Sequence, residues 1–496
     1  MGSPVRRLAL VLVAVLALTS CSLPSSPDDQ RAGWRACPEV AKEIAGRDNS
    51  RFEFACATVR VPQDWARPDG DTFDVALLRA RAKDQRHRIG SLVVNPGGPG
   101  ASGVELAVYL GFGLPEAVST RFDIVGFDPR GVGRSTEVAC IPDEAKDALT
   151  AADPDPRSEA EFGGQVALWR RVAERCGRAY GDRLGLFSTE QTARDLEAVR
   201  KAVGDEKTTY LGYSYGTLLG AVYAHLFPTR VRAAVLDGAV DPKADTVEAS
   251  ARQAGGFERA FDDFAADCKG RGDGCAIGPD ARAFLTRLLD RVRRHPIPSS
   301  DGRPVTAGHV LLAVVASLYT QSQWTTLTRA LADAEAGKGD RVLALADEYN
   351  QRRPDGTYTN LIDANTTVNC ADEADRPTVA EVRRLQGEWR ARYPVFGPPL
   401  ALSMLACAVW PGKPDPYPTG AASGAPPIVV IGTSGDPATP YENTPALAHL
   451  LGVGVVLTWE GEGHTAYPRT RCVTEAVDAY LTDLRTPRGG TRCPAR

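Results

Sequence analysis

Residues 208–220 read TTYLGYSYGTLLG, and no other stretch constrains the chain as tightly. β-prone residues lead into a Gly-Tyr-Ser-Tyr-Gly core. A helix-like run follows from Thr217 to Phe227, closed by Pro228. Strand, tight turn and helix in that order form the setting of a G-x-S-x-G nucleophile elbow with Ser214 at its apex. The pentapeptide alone is weak, because a chain with 48 glycines produces such spacings by chance. Turn filler is the competing reading, and the other parts of the sequence must decide.

The surrounding pattern is that of a mostly parallel sheet with covering helices. Candidate strands are 54–61, 72–80, 91–95, 122–128, 208–214 and 232–238, with amphipathic stretches between them. Residues 188–204 form a well-marked helix. Ser188 and Gln191 fit a capping box, Ala193, Leu196 and Val199 make an apolar stripe, and Gly204 closes it. From about Asp241 the strand series stops and residues 241–390 are helix-like and charge-laced. Strands resume at 426–433 and 452–460, and a helix is expected over 472–484. A helical block interrupting an α/β alternation predicts an inserted cap over the sheet's C-terminal edge, where ligands bind in open α/β sheets. At 496 residues the chain is long for one domain. The expected division is a core over 36–240, a cap over 241–390 and the rest of the core over 391–496.

The first twenty residues read as a signal peptide. Arg6 and Arg7 precede LALVLVAVLAL (8–18), an apolar run short for a membrane span. Leu18-Thr19-Ser20-Cys21 resembles a bacterial lipobox, which makes Cys21 the lipidated residue and 21–35 a polar tether. An ordinary secretory signal, or twin-arginine export, is the alternative. Ten further cysteines, an even number, suit disulfides in an exported protein. Pairing of sequence neighbours is expected: Cys37–Cys56, Cys140–Cys176, Cys268–Cys275, Cys370–Cys407 and Cys472–Cys493. Neither a C-x-x-C pair nor zinc spacing is present, so no metal or other cofactor is expected. A formal charge of −4 without a large basic block argues against nucleic acid as a partner.

An acyl-transfer serine enzyme needs a nucleophile, a base, a group orienting that base, and donors for the developing oxyanion. When the nucleophile sits on a strand-to-helix elbow, the acid and then the base follow it in the chain. Of six histidines, His464 alone lies in a short Gly-rich loop beyond a returning strand, in EGEGHTAYP. Asp436, in VVIGTSGDPATPY, follows the preceding strand and is the expected orienting acid. An Asx turn that merely ends the strand is its competing role. VVNPGGPGASG (93–103) is the candidate oxyanion loop, with the amide of Gly98 (Gly97 being possible) and that of Tyr215 as donors. A phosphate loop is disfavoured, because no Gly-Lys-Ser/Thr follows. In FDPRGVGRS (127–135), Asp128 and Arg130 are expected to form a structural ion pair beneath the site.

NPGGPGASG, DPRGVGRS, GYSYGT, GDPATPY and the Gly-His loop together closely resemble the secreted bacterial tripeptidyl aminopeptidases. These belong to the α/β-hydrolase family that also contains the prolyl aminopeptidases. The resemblance runs from about Cys56 to Cys493 and implies release of short peptides, often tripeptides, from free N-termini. The loop reads NPGGPG where prolyl aminopeptidases typically have HGGPG. Holding a substrate ammonium calls for carboxylates in the cap. TTVNCADEADR (366–376), where relatives carry a similar Cys-x-Asp element, offers Asp372 and Glu373, with a solvated acidic turn as the bland alternative. The expectation is an exported, membrane-tethered serine exopeptidase acting on peptides with a free N-terminus, its oligomeric state left open. A carboxylesterase or lipase with the same triad, and a non-catalytic peptide-binding lipoprotein, are the rivals.

Overall fold

A computed structural model describes residues 31–48 and 51–495. The leader, Cys21 and most of the expected tether lie outside the described residues. One ten-stranded sheet organises the chain, in the order β1-β2-β3-β5-β4-β6-β7-β8-β9-β10. The strands are β1 (Arg35–Ala36), β2 (Phe52–Pro62), β3 (Thr72–Ala82), β4 (Gly90–Asn95), β5 (Phe122–Phe127), β6 (Thr208–Tyr213), β7 (Val231–Asp237), β8 (Ile428–Gly435), β9 (Gly454–Glu462) and β10 (Thr491–Cys493). From β5 and β4 through β10 neighbours pair in parallel, whereas β1, β2 and β3 form an antiparallel edge. The sequence pattern explains this division. Ser91 to Asn95 in β4 and all of β5 and β6 are buried, as runs covered on both faces must be. On β3, by contrast, Phe73, Val75 and Leu77 point inward while Thr72 and Asp74 face solvent.

The helices that cover the sheet or build the cap include α1 (Pro38–Ala45), α2 (Gly103–Gly113), α3 (Glu159–Tyr180), α4 (Thr189–Val203), α5 (Tyr215–Leu226), α6 (Thr246–Arg271), α7 (Ala307–Leu318), α8 (Leu361–Asp372), α9 (Val379–Arg392), α10 (Asn443–Leu451) and α11 (Arg471–Asp483), with others between. Two buried clusters flank the sheet, one including Val59, Leu196 and Leu219, the other Leu78, Ile124 and Val235. The run between β7 and β8 is helical and builds its own core around Phe261, Phe264, Leu288 and Val314. Its helices continue to Ala408. The cap also recruits α3, from between β5 and β6. Phe162 and Val166 of α3 pack with Val382, Leu385 and Trp389 of α9. β1 and β10 have two and three residues, too few to carry a periodic signal.

All five expected disulfides are formed: Cys37–Cys56, Cys140–Cys176, Cys268–Cys275, Cys370–Cys407 and Cys472–Cys493. At α4 the capping box is only half made. The Ser188 hydroxyl accepts from the Gln191 amide, but the Gln191 side chain accepts from the Trp65 amide and donates to Asp415 instead of returning to the cap.

Candidate active site

β6 hands the chain to α5 through Ser214, which stands at φ 56 and ψ −126. A serine is strained there, and strain held in place by its surroundings is typical of a functional turn. Three contacts hold it. The Ser214 amide donates to the Asp237 carbonyl at the end of β7, at 2.9 Å. The Thr217 amide and hydroxyl both donate to the Ser214 carbonyl. The turn also requires Gly216, since a Cβ there would meet Asn95 Oδ1 at 2.8 Å.

Asp436 follows β8 and His464 follows β9, and both side chains are buried. His464 Nδ1 lies 2.9 Å from each Asp436 carboxylate oxygen. That contact places the ring proton on Nδ1 and leaves Nε2 as an acceptor. Asp436 also accepts the amides of Ala438 and Thr439 and the Thr439 hydroxyl. The turn-forming and histidine-orienting roles thus coexist in one carboxylate. Nε2 is buried without a hydrogen-bond partner among the described residues. Its ring lies over Gly238, directly after the carbonyl that holds Ser214. No hydrogen bond joins Ser214 to His464. In ligand-free sites such bonds are often long and tighten with substrate.

Two residues that the sequence reading passed over fix the histidine loop. Asp237 accepts the amides of Ala466 and Tyr467 from within β7. Burial pushes its carboxyl up to about 6, against those bonds and nearby His464. Its one sequence signal was a carboxylate closing the apolar run Ala233–Leu236. From the cap, the Tyr319 carbonyl accepts the His464 amide at 2.8 Å, and its ring meets the imidazole edge-on with centroids 5.2 Å apart. Nothing in the sequence paired residues 319 and 464.

The glycine loop after β4 runs against the elbow. Gly97 has φ +91, and a Cβ on it would stand 2.5 Å from the Tyr213 carbonyl oxygen and 2.9 Å from the Tyr215 nitrogen. Its amide is occupied by Asn95 Oδ1 at 2.9 Å, whereas the Gly98 amide has no acceptor among the described residues. Tyr215 opens α5, where first-turn amides lack intrahelical acceptors. Gly98 and Tyr215 therefore present donors on adjoining segments. The expected Asp128–Arg130 pair is not formed. Asp128 accepts from the Ser102 hydroxyl and the Val104 and Arg134 amides, fixing α2 against the loop after β5. Arg130 makes a fully buried two-point pair with Asp195 of α4 and donates to the carbonyls of Pro62, Gln63 and Leu186. Opposite charges two residues apart suggested a local pair, but the chain turns them to different neighbours.

α8 lies along the glycine loop, with Asn365 donating to the Pro99 carbonyl, and ends at Asp372. Asp372 accepts the Thr189 amide at 2.7 Å and the Thr189 hydroxyl at 2.5 Å, and that hydroxyl lies 2.5 Å from the Tyr215 phenol. A hydrogen-bonded chain thus connects Asp372 to the residue after Ser214. Burial drives Asp372 up to about 8 despite the Thr189 bonds, with Asp415 and Glu373 adding repulsion. Glu373 rises to about 7, again chiefly by burial, and its Oε2 is buried without a hydrogen-bond partner. Both residues are half-buried, with Asp372 bonded to Thr189 and the Glu373 Oε2 out of solvent, which disfavours the solvated-turn reading.

A strained serine between strand and helix, an Asp–His pair behind the last parallel strands and a glycine loop against the elbow are the parts of one fold family. Residues 90–467 match the family described as alpha/beta hydrolase fold. The chain belongs to this α/β-hydrolase family. It is 40% identical over 461 residues to a serine protease, Hip1, of Mycobacterium tuberculosis, covering 88% of this chain and 87% of that one. It is 37% identical to a carboxylesterase B of the same species, over 93% of this chain and 89% of the relative. A tripeptidyl aminopeptidase of Streptomyces lividans is 31% identical over 88% and 83%. The chain is thus a hydrolase, related to serine proteases, carboxylesterases and tripeptidyl aminopeptidases.

Proposed function

We propose that this α/β hydrolase is an exported serine exopeptidase that releases short peptides, tripeptides as the resemblance implies, from free N-termini. Ser214 Oγ attacks the scissile carbonyl while His464 Nε2 takes its proton. Asp436 stabilises the imidazolium, and the amides of Gly98 and Tyr215 receive the oxyanion. The protonated His464 then gives its proton to the leaving amine, and water attacks the acyl-enzyme by the same path. The observation that carries the exopeptidase reading is the pair of half-buried carboxyls at the end of α8, of which Asp372 is tied through Thr189 to Tyr215. Glu373, with its unpartnered Oε2, is the better seat for an ammonium, and Asp372 supports it. Three extended residues reach at most roughly 10 Å, so a tripeptide-releasing enzyme needs its ammonium anchor within about that distance of the nucleophile. Export with lipidation at Cys21 is supported by the leader sequence and by five disulfides.

A carboxylesterase is the second reading, favoured by the relative of that name, which covers 93% of the chain. Hydrolysis of Ala-Ala-Pro-p-nitroanilide with a free or an acetylated N-terminus separates the two. The exopeptidase cleaves only the free form, and Ser214→Ala lowers turnover by on the order of 10⁶. Cleavage of both forms would point to an endopeptidase or general hydrolase. Turnover of p-nitrophenyl acetate with neither peptide cleaved would establish the esterase.

A further inference from the structure

At the antiparallel edge of the sheet, away from the candidate site, lies a groove of about 560 Å³ bounded by α1, β2 and β3. Lys42, Arg47, Arg79, Arg81 and Lys83 line it, against the carboxylates of Asp48 and Glu53. This cationic excess is opposite in sign to the chain's net charge of −4. Arg79, Arg81 and Lys83 recur at every second position along and just past β3, so they share one face. The two carboxylates are partly committed. Asp48 lies 3.3 Å from Lys42, and Glu53 stands opposite Arg81 in the strand register.

Arg79 is the most informative member. Its guanidinium lies 4.5 Å over the Trp34 ring, half-buried, and its Nε is buried without a hydrogen-bond partner. Burial lowers its pKa and Arg81 and Arg88 lower it further, while Asp123 and, less strongly, Glu53 oppose them. Crowded cations at a partly desolvated position are stabilised by an incoming anion. The groove's position identifies the anion's source. Arg31 lies three residues before Trp34 and ten positions after Cys21. Ten extended residues reach at most roughly 35 Å, so an anchor at Cys21 would keep this edge close to a bilayer.

We propose that this groove docks the protein on an anionic lipid surface, with phosphodiester headgroups seated against Arg79, Arg81 and Lys83 beside Trp34. The proposal rests on the Cys21-anchored reading for bringing a membrane near. Strands β6 to β9, which carry the candidate triad, stand four to seven places from β2 in the sheet. That separation is roughly 19–34 Å at the usual strand spacing, so the docked enzyme keeps its site open to soluble peptides.

The test uses the chain from Ser22 onward, which lacks the anchor but keeps the whole described sheet and its cores. It is sedimented with vesicles of phosphatidylcholine alone or mixed with phosphatidylglycerol, at low and high salt. Binding is expected only to the mixed vesicles and should weaken with salt. The triple variant Arg79→Gln/Arg81→Gln/Lys83→Gln should bind at least about tenfold more weakly, given the contribution of each basic residue near such a surface. Its p-nitrophenyl acetate turnover should equal the parent's, which reports an intact fold. Equal binding to both vesicle types, or unchanged binding by the triple variant, would overturn the proposal. So would loss of vesicle binding to inorganic phosphate at matched ionic strength, since the groove would then be a small-anion site. Palmitate labelling of Cys21 in the full chain is a separate readout, so failure of the anchor and failure of the groove are distinguishable.

Discussion

Burial holds Asp372 at about 8 and Glu373 at about 7, so both titrate where a peptide's own N-terminus does. An ammonium ligand favours the ionised carboxyls, and its binding tightens as pH rises through 7 and 8. Above that, the substrate's α-amino group, with an ordinary pKa near 7.7–8.0, loses its charge. The expected outcome is a bell-shaped kcat/KM for free-amine peptides with a narrow top between about pH 7 and 8. p-Nitrophenyl acetate should lack the alkaline limb, which belongs to the substrate amine, and Glu373→Gln should shift the acidic limb of the peptide profile but not that of the ester. Identical profiles for peptide and ester would eliminate the amine anchor. The stability contribution has the opposite slope. Both pKa values are raised on folding, so this contribution is fully present below the ordinary carboxylate range. It is lost as pH rises through about 7 and 8. The ligand-free enzyme should therefore melt at lower temperature above pH 8 than below pH 6, and a bound amine should reduce that difference.

The helical cap has a direct hold on the proposed catalytic histidine through one turn. After α7, the Tyr319 carbonyl takes the His464 amide and Thr320 bridges to Gly463, so the loop after β9 is pinned to cap as well as core. The Tyr319 ring adds an edge contact to the imidazole and a hydrogen bond to Tyr349 at 3.2 Å. Tyr319→Ala should lower kcat by about tenfold, since an aromatic contact of this kind contributes roughly 0.5–1.5 kcal/mol. Tyr319→Phe keeps the ring and should stay near the parent. A kcat unaltered in Tyr319→Ala would show that the backbone bonds alone hold His464. Such a link had no sequence trace, because it joins positions far apart in the chain through main-chain atoms.

Across the molecule, the five disulfides lie away from the sheet's central strands, and the two that touch the sheet do so at β2 and β10. Cys370–Cys407 closes a separation of 37 residues and lies two residues before Asp372. In the chain-entropy model such a loop contributes roughly 4 kcal/mol. Cys370→Ala/Cys407→Ala should therefore lower stability in a denaturant titration by about that amount. It should also weaken cleavage of free-amine peptides more than turnover of p-nitrophenyl acetate, because the end of α8 loses its tie. Equal loss on both substrates would place the effect in the whole fold rather than in the amine seat. The eight long strands, the elbow, the triad candidates and the cysteine pairs were legible because each is a local pattern. Strand periodicity, a glycine turn around a serine, and loops directly after strands are written in consecutive residues. The departures share one cause. Arg130 chose Asp195 over Asp128, Gln191 left its capping box for Trp65 and Asp415, α3 joined the cap from outside the main insertion, and Asp237 and Tyr319 came to hold His464. Each depends on which distant segments the sheet order and the cap bring together, and on which buried polar groups must then find partners. The sequence determined the kind of fold and the order of its reactive residues. Only the tertiary structure decided what positions them, because burial and partner geometry exist once distant parts of the chain are packed.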